Sequence, residues 1–338
     1  MQPSRPLLTI AIPTYNREAL LAELLSALEG QVSVHPEVEI IVSDNGSTDG
    51  TSATVRGFIA RGMPIRYRCH SINMGAEANF FECLKLSRGK YFWLCGDDDI
   101  ILPGALDKVT GYLQREEFDL IYLTSYGFRN DYLVERQSDP LGRRFHRITS
   151  ERRFTKAVNI MLTFISGMIV NKDRLHETPH EDPTAFVGSQ LIQLSWVLPL
   201  LRNHRRSLIL WERLVAARQG NAGGYAIGEI FGKSLVNVVA RCLPDRPDLV
   251  AIITNFTVRR WLPSILYDIR REGNQNLGLE SARVTLRCAY KANFRFWLFT
   301  YPVLVLPLPL AGLWSKTAAA VGRLIYMLLM PSFWRKEI

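Results

Sequence analysis

Over the first 125 residues, short apolar runs alternate with longer amphipathic ones. Leu7 to Ile12 (LLTIAI), Val38 to Val42 (VEIIV), Ile65 to Cys69 (IRYRC), Tyr91 to Cys95 (YFWLC) and Leu120 to Leu123 (LIYL) have the length and the β-branched and aromatic content of strands. Between the first two, Glu18 to Glu29 sets Leu20, Leu21, Leu24, Leu25 and Leu28 along one stripe of a 3.6-residue period, which predicts a helix. Thr51 to Arg61, Ala76 to Ser87 and Pro103 to Arg115 predict three more, with Gly89 just beyond the third and Pro103 in the first turn of the fourth. Strands alternating with helices imply right-handed crossovers and an α/β fold with a mostly parallel sheet. Ligands of such sheets sit beyond the carboxyl ends of the strands, so the loops after these five runs are where chemistry is expected.

The pattern then changes. Ser125 to Arg153 is polar and basic, carrying Pro140, Gly142, Arg143, Arg144, Arg147, Arg152 and Arg153, and is expected to be a surface excursion. Apolar segments resume at Val158 to Val170 and Phe186 to Leu201, followed by a strand at Leu208 to Trp211, the Gly-rich run QGNAGGY from Gln219 to Tyr225, and a mainly helical remainder after Ile230. Phe296 to Ser315 has no charge, enough for roughly 30 Å of helix. Pro302, Pro307 and Pro309 interrupt it, and Lys291, Arg295, Lys316 and Arg323 flank both ends, which favours a kinked re-entrant or interfacial segment over a simple span. Phe333, Trp334, Arg335 and Lys336 have the composition of a headgroup anchor. A buried C-terminal helix pair is the competing expectation. The organisation expected is residues 1–125 and 126–230 as two halves of one catalytic domain and 231–338 as a helical, membrane-associating region.

Composition narrows the class. With 47% hydrophobic and 22% charged residues the chain is an ordinary folded protein. Lys plus Arg number 41 against 32 for Asp plus Glu, a formal +9 that suits nucleic acid, an anionic membrane or a phosphorylated ligand. The charge is uneven: residues 1–120 hold 11 basic and 16 acidic side chains (−5), 121–240 hold 16 and 10 (+6), and 241–338 hold 14 and 6 (+8). An acidic first part that recruits a cation and a basic later part that meets phosphates and headgroups fit a membrane surface better than nucleic acid, which is not expected as a partner. Five cysteines without a CxxC pair fit a reducing compartment, and Leu7 to Ile12, closed by Pro13, is too short for a signal peptide. The cytoplasmic face of the inner or plasma membrane is the expected location.

Three loops carry candidate chemistry. Asp44 follows an apolar strand, where a carboxylate can accept from a base or ribose, although Asn45, Gly46, Ser47, Thr48 and Asp49 also read as a tight loop with a helix cap. Gly96-Asp97-Asp98-Asp99 follows YFWLC. Adjacent carboxylates at the end of a buried strand repel one another, and a hard divalent cation, Mg²⁺ or Mn²⁺, with oxygen ligands relieves this, a solvated acidic turn being the plainer reading. Asn73, Gly75 and Asn79 open the third helix, where amide donors can face a base or phosphate or serve as caps. His180 and His204 have no partner at metal-ligand spacing, and no GxGxxG follows a strand, which disfavours a dinucleotide oxidoreductase.

IPTYNRE, VSDNGSTDG, NMGAEANF and RGKYFWLCGDDDIILPGAL, in this order and spacing over about residues 5–125, resemble the nucleotide-sugar domain of glycosyltransferase family 2, with its GT-A fold. Phe164 to Ile169, Arg218, Gly220-Asn221 and Gly223-Gly224-Tyr225 resemble the abequosyltransferase-like branch of O-antigen enzymes. The resemblance implies that Pro13, Tyr15 and Arg17 shape the nucleotide pocket, that Asp44 meets the base, that Asp97 lies on the ribose side, and that Asp98 binds the metal. Gly96 stands where many members have the first Asp of Asp-x-Asp, and Asp99 is an extra carboxylate expected to share the ion directly or through water. The family's general base usually lies in a Glu-Asp pair, but Phe186 to Gln190 contains no acid, so Glu181 and Asp182 are the substitutes, a charged loop beside Pro179 and Pro183 being the other reading of them. Arg218 with the GNAGGY loop is expected to fold over the donor diphosphate. The activity implied is inverting, metal-dependent transfer of one sugar from a nucleotide-sugar donor to a polyprenyl-diphosphate-linked glycan acceptor at a membrane. A non-catalytic nucleotide-binding membrane scaffold and a sugar nucleotidyltransferase are the alternatives; the latter would place a Gly-rich basic loop after the first strand, where Pro13-Thr14-Tyr15-Asn16 stands.

Overall fold

A computed structural model describes residues 5–139, 144–220, 226–272 and 279–329. These divide into two compact units, 1–154 with 161–221, and 155–160 with 222–338.

The first unit is the alternating half read from the sequence, extended by a second set of strands. β1 (Leu8–Thr14), β2 (Val38–Asp44), β3 (Ile65–Cys69) and β4 (Tyr91–Leu94) run parallel, with α1 (Glu18–Val32), α2 (Thr51–Ala60) and α3 (Ala76–Leu86) crossing between them. β5 (Ile100–Ile101), α4 (Ala105–Leu113) and β6 (Leu120–Phe128) follow, then β7 (Phe145–Ile148), α5 (Glu151–Val158), β8 (Met168–Asn171), α6 (Lys172–Glu177), the short α7 (Leu194–Val197) and α8 (Pro199–Arg202), and β9 (Ser207–Arg218). Among the described residues the sheet has nine strands in the order β3-β2-β1-β4-β8-β6-β9-β5, with β7 also on β9. β8 runs antiparallel between β4 and β6, so the sheet is parallel on one side and mixed on the other. This is the GT-A arrangement. β1, β2 and β4 are fully buried, as their unbroken apolar runs require, and Leu21, Leu24, Leu25 and Leu28 of α1 pack onto them.

Two expectations are corrected. The basic stretch 125–153 is not simply a surface excursion: β6 continues through Phe128, and β7 pairs with β9 as an edge strand. β9 is also three times as long as Leu208 to Trp211, passing through a register shift between Leu210 and Val215 where Trp211, Glu212 and Arg213 interrupt its apolar run. Pro140, Gly142 and Arg143, residues 221–225 of the GNAGGY loop and the aromatic-basic residues 333–336 lie outside the described residues.

Buried polar groups fix the unit. Arg174 of α6 donates to Asp119 Oδ1 at 2.9 Å and to the Asn203 carbonyl at 2.9 Å, and Asp119 Oδ2 accepts from the Arg205 and Arg206 amides. Lys172 donates to the Leu84 and Ser87 carbonyls and to Ser87 Oγ, and burial lowers its ammonium to about 8.

The second unit is helical: α9 (Leu235–Cys242), α10 (Pro247–Phe256), α11 (Leu262–Glu272), α12 (Leu279–Tyr290), α13 (Tyr301–Val305) and α14 (Leu308–Leu329). Val258, Leu262, Leu266, Leu286, Tyr290, Phe296 and Val303 form its core. π-helical turns occur at Glu229–Ser234, Thr257–Trp261 and Phe296–Thr300. The uncharged run breaks where its prolines predict. Pro302 is in the first turn of α13, Pro307 lies at the break, Pro309 is in the first turn of α14, and Leu306 between the helices is extended. Arg270 caps the freed Val303 and Leu306 carbonyls. Among the described residues no helix is long and apolar enough to cross a membrane. Phe294, just before this segment, and Trp297, Leu298, Leu310, Leu313 and Trp314 within it are exposed. None of the five cysteines is in a disulfide; Cys69, in the first unit, and Cys288, in the second, are exposed, and the other three are buried.

Candidate active site

The loops beyond β1 and β2 are laced together by backbone-directed side chains. Asn16 adopts φ +51 and accepts from the Thr48 amide through Oδ1, while its own amide donates to Ser47 Oγ at 2.9 Å. Asp49 accepts from the amides of Glu18 and Thr51, joining the starts of α1 and α2. Gly46, at φ +77, lies so close to the His70–Asn73 backbone that a Cβ there would come within 3.1 Å of the Ile72 carbonyl carbon. Asp44 ends β2 fully buried; its Oδ1 accepts from the Ser47 amide at 2.8 Å and its Oδ2 from the Tyr67 hydroxyl at 2.5 Å. Burial, then the bond to Asp44, raise the Tyr67 phenol well above its ordinary range, so it remains a donor.

The acidic motif follows β4. Arg17 Nη1 donates to Asp97 Oδ1 at 3.0 Å and to Asp98 Oδ2 at 3.1 Å, bringing the two carboxylates onto one cation. Asp97 is buried, which raises it to about 6 despite Arg17. Asp99 is also buried; desolvation, then the charge of Asp98, raise it to about 7 although the Arg218 amide donates to its Oδ1 at 3.0 Å. Asp98 is the more open of the Arg17-bound pair, with 21% of its side chain exposed against 7% for Asp97. The cluster is therefore short of positive charge even with Arg17 in place. A side chain on Gly96 would meet Asp98 Oδ1 at 3.0 Å and Asp99 Oδ2 at 3.3 Å. Asp98 first, and Asp99 next to it, thus crowd the space that a first acid of Asp-x-Asp would enter, which favours the glycine.

The remaining expected residues separate into those at the loops and those holding the frame. Pro13 is buried in β1 opposite Ser43, and Tyr15 is exposed just beyond the strand. Gly75, at φ +89, starts α3 with open space where a Cβ would stand. Asn73 is not the N-cap: its Oδ1 accepts from Asn45 and from the Gly75 amide. Asn79 is a correction to the expected donor contact. It is 2% exposed and both ends of its amide are bonded to Ser43, so it pins α3 to β2. Arg218 ends β9, with Nε donating to the Asp98 carbonyl at 3.3 Å, Nη2 paired with Glu23, and its guanidinium 4.4 Å from the Phe128 ring centroid. It is thereby fastened to the acidic motif. Glu181 and Asp182 are exposed; Asp182 caps the turn Pro183–Phe186 through the Thr184 amide and hydroxyl, bonds that lower its carboxyl below the ordinary range. The acid-free segment after that turn is held by Glu77 of α3, which accepts from the Gly188 and Ile192 amides and the Ser189 hydroxyl.

Asn16, Glu23, Tyr67, Glu77 and Ser166 were not among the residues expected. Ser166 Oγ accepts from the Gly96 amide at 2.9 Å and its carbonyl from Trp93 Nε1, which ties the Phe164–Ile169 segment to the acidic motif. That segment and Asn16 stand inside motifs visible in the sequence; Glu23, on the polar face of α1, carries no such signal. Among the described residues no group of three or more His, Cys, Asp or Glu side chains forms a metal cage.

The glycosyl transferase family 2 model matches residues 9–177, half of the chain. An abequosyltransferase of Salmonella typhimurium is 32% identical over 180 residues, 50% of this chain and 54% of that protein. A validoxylamine A glucosyltransferase of Streptomyces hygroscopicus is 47% identical over 62 residues, 18% of this chain and 14% of its own. The matched part spans about half the length of these curated relatives or less. Among solved structures, S. aureus TarS 1–349 in complex with UDP-GlcNAc is similar with a TM-score of 0.61 at 14% identity, over 92% of this chain and 89% of that one. A Pyrobaculum calidifontis mannosyltransferase in complex with GDP-Man and Mn²⁺ is similar with a TM-score of 0.51 at 14% identity, over 93% and 88%.

Proposed function

The chain belongs to glycosyltransferase family 2, and we propose that it moves a single sugar, with inversion, from a nucleotide-sugar donor to a hydroxyl of a lipid-linked saccharide in cell-surface polysaccharide synthesis. The observation that carries this reading is the buried acidic motif after β4, two of whose carboxylates converge on Arg17. The likeness to an abequosyltransferase supports the sugar-transfer step, and the complexes of the two structural neighbours support a nucleotide-sugar donor.

Cleaving the bond from the anomeric carbon to the diphosphate places growing negative charge on the leaving group, which must be met by fixed positive charge. Asp98, with Asp99 sharing the ion directly or through water, would hold a Mg²⁺ or Mn²⁺ ion, which takes oxygen ligands and few carboxylates; such an ion would supply positive charge to the leaving diphosphate, with Asp97 on the ribose side. Asp44, aligned by Tyr67 and Ser47, receives the base, and Tyr15 at the mouth of the β1 loop lies beside it. Arg17 holds the carboxylates together before donor arrives. Arg218, anchored on Asp98 and Glu23, steadies the same loop from the other side. The acceptor proton goes to a carboxylate in the second half of the unit, with Glu181 and Asp182 as the candidates; cap duty holds the Asp182 carboxyl below its ordinary range. The enzyme works at the cytoplasmic face of the membrane, where the exposed aromatic and leucine side chains of residues 294–314 enter the headgroup layer.

The test is release or transfer of sugar from a panel of UDP-, dTDP-, CDP- and GDP-sugars by the purified full chain with Mn²⁺. Asp98→Asn is expected to lower kcat/KM by about 100-fold or more. Nucleotide binding without sugar release from any donor overturns the enzyme reading, and full activity in Asp98→Asn overturns the assignment of the metal.

A further inference from the structure

Arg17 commits its positive charge to the acidic motif with only part of its guanidinium. Nη1 alone donates to Asp97 Oδ1 and Asp98 Oδ2, at 3.0 and 3.1 Å, while Nε and Nη2 make no hydrogen bond among the described residues. The side chain is 34% exposed, against 13% for Arg218, whose guanidinium is fixed by Glu23, the Phe128 ring and the Asp98 carbonyl. Of the two arginines at the motif, Arg17 is therefore the one able to change partner.

Its place in the fold says which partner. β1 lies between β2 and β4 in the sheet. A donor whose base meets Asp44, at the end of β2, and whose diphosphate reaches Asp98, beyond β4, crosses the carboxyl end of β1, and Arg17 stands three residues past Thr14, where that strand ends. Guanidinium forks suit phosphate oxygens as well as carboxylates. A divalent ion held by Asp98 Oδ2 at about 2.1 Å lies no farther than about 5 Å from Nη1 while that nitrogen stays bonded to the same oxygen. Two cations that close in a partly buried loop repel, so ion and guanidinium compete for Asp98.

We propose that Arg17 exchanges Asp98 for the donor diphosphate, so that one movement opens Asp98 to the divalent ion and adds a second positive charge to the leaving group. Tight metal binding then follows the nucleotide. This deepens the proposed function and rests on its nucleotide-sugar donor and on Asp98 as the ion's ligand.

The experiment titrates Mn²⁺ into the full chain and reads free Mn²⁺ by electron paramagnetic resonance. It is run first without nucleotide and then with whichever of UDP, dTDP, CDP and GDP binds most tightly, corrected for the Mn²⁺–nucleotide complex in solution. Arg17→Gln is expected to bind Mn²⁺ alone about tenfold or more tightly than wild type does, and the factor by which nucleotide tightens Mn²⁺ binding is expected to be smaller in the variant by about tenfold or more. With metal chelated, Arg17→Gln is expected to bind that nucleoside diphosphate about tenfold more weakly and the parent nucleoside equally well. Arg17→Met takes its place where the Gln variant does not fold. Mn²⁺ binding no tighter than in wild type, an unchanged nucleotide factor, or equal loss of nucleoside and nucleoside diphosphate each overturns the exchange. If none of the four nucleotides binds wild type, the donor reading fails and the exchange with it. If Mn²⁺ binding to Arg17→Gln survives the further change Asp98→Asn, the metal assignment fails, so the three failures are told apart.

Discussion

At the scale of single residues, the acidic motif is a site assembled against its own repulsion. Asp97 and Asp99 are raised to about 6 and 7 by burial, above the ordinary carboxylate value. The folded chain therefore binds more protons than the unfolded one between about pH 4 and 7, and stability from this source falls as pH rises through that window. The melting temperature of the ligand-free protein is expected to drop between pH 5 and 8, and Asp99→Asn to flatten the drop and raise the melting temperature at pH 8; a pH series of thermal melts of both proteins decides it. Mn²⁺ added at pH 8 is expected to raise the wild-type melting temperature and to leave that of Asp98→Asn unmoved. Failure of the metal to stabilise wild type removes the ion from this motif. Arg17 neutralises only part of the charge, so Arg17→Ala is expected to lower stability above pH 7 more than below it.

At the scale of elements, the parallel half was legible because β1, β2 and β4 are buried on both sides and α1 carries one leucine stripe. Asp44 and Asp97 to Asp99 were legible because they stop apolar strands abruptly. The edge was not: β7 reads Phe145-His146-Arg147-Ile148, with Phe145 and Arg147 exposed, His146 half-buried against Trp211 and Ile148 buried, so no apolar-polar alternation marks a strand that is paired on β9 alone among the described residues. β9 was cut short in the sequence because Trp211-Glu212-Arg213 falls at the bulge. Asn79 misled because an amide three residues beyond the first residue of a helix looks the same whether it faces a ligand or the neighbouring strand; only the packing of α3 on β2 decides. Nor did sequence show that Arg174 and Asp119, 55 positions apart, form the buried pair joining α6 to β6, their side chains 2% and 3% exposed. Asp119→Ala leaves that guanidinium and two backbone amides without their acceptor and is expected to destabilise the first unit by about 3–5 kcal/mol, read by denaturant unfolding.

At the scale of the whole molecule, charge is sorted: the donor-binding strands lie in the acidic part of the chain, and the excess of Lys and Arg lies later, in the helical unit above all. Adsorption of the full chain to anionic vesicles is expected to weaken severalfold between about 0.1 and 1 M salt, as the screening length falls from about 10 to about 3 Å. What survives at high salt measures the contribution of Trp297, Leu298, Leu313 and Trp314, and replacing Trp297 and Leu313 by Glu is expected to remove it. The distribution of thiols has a spectroscopic use. Cys69 ends β3 beside Asp44, Cys288 sits on α12, and the other three cysteines are buried, so the unmodified chain accepts one label in each compact unit. A spin-label pair at these two positions is a built-in ruler, able to read the separation of the donor-binding loops from the helical unit with and without nucleotide, and with no substitution made to the protein.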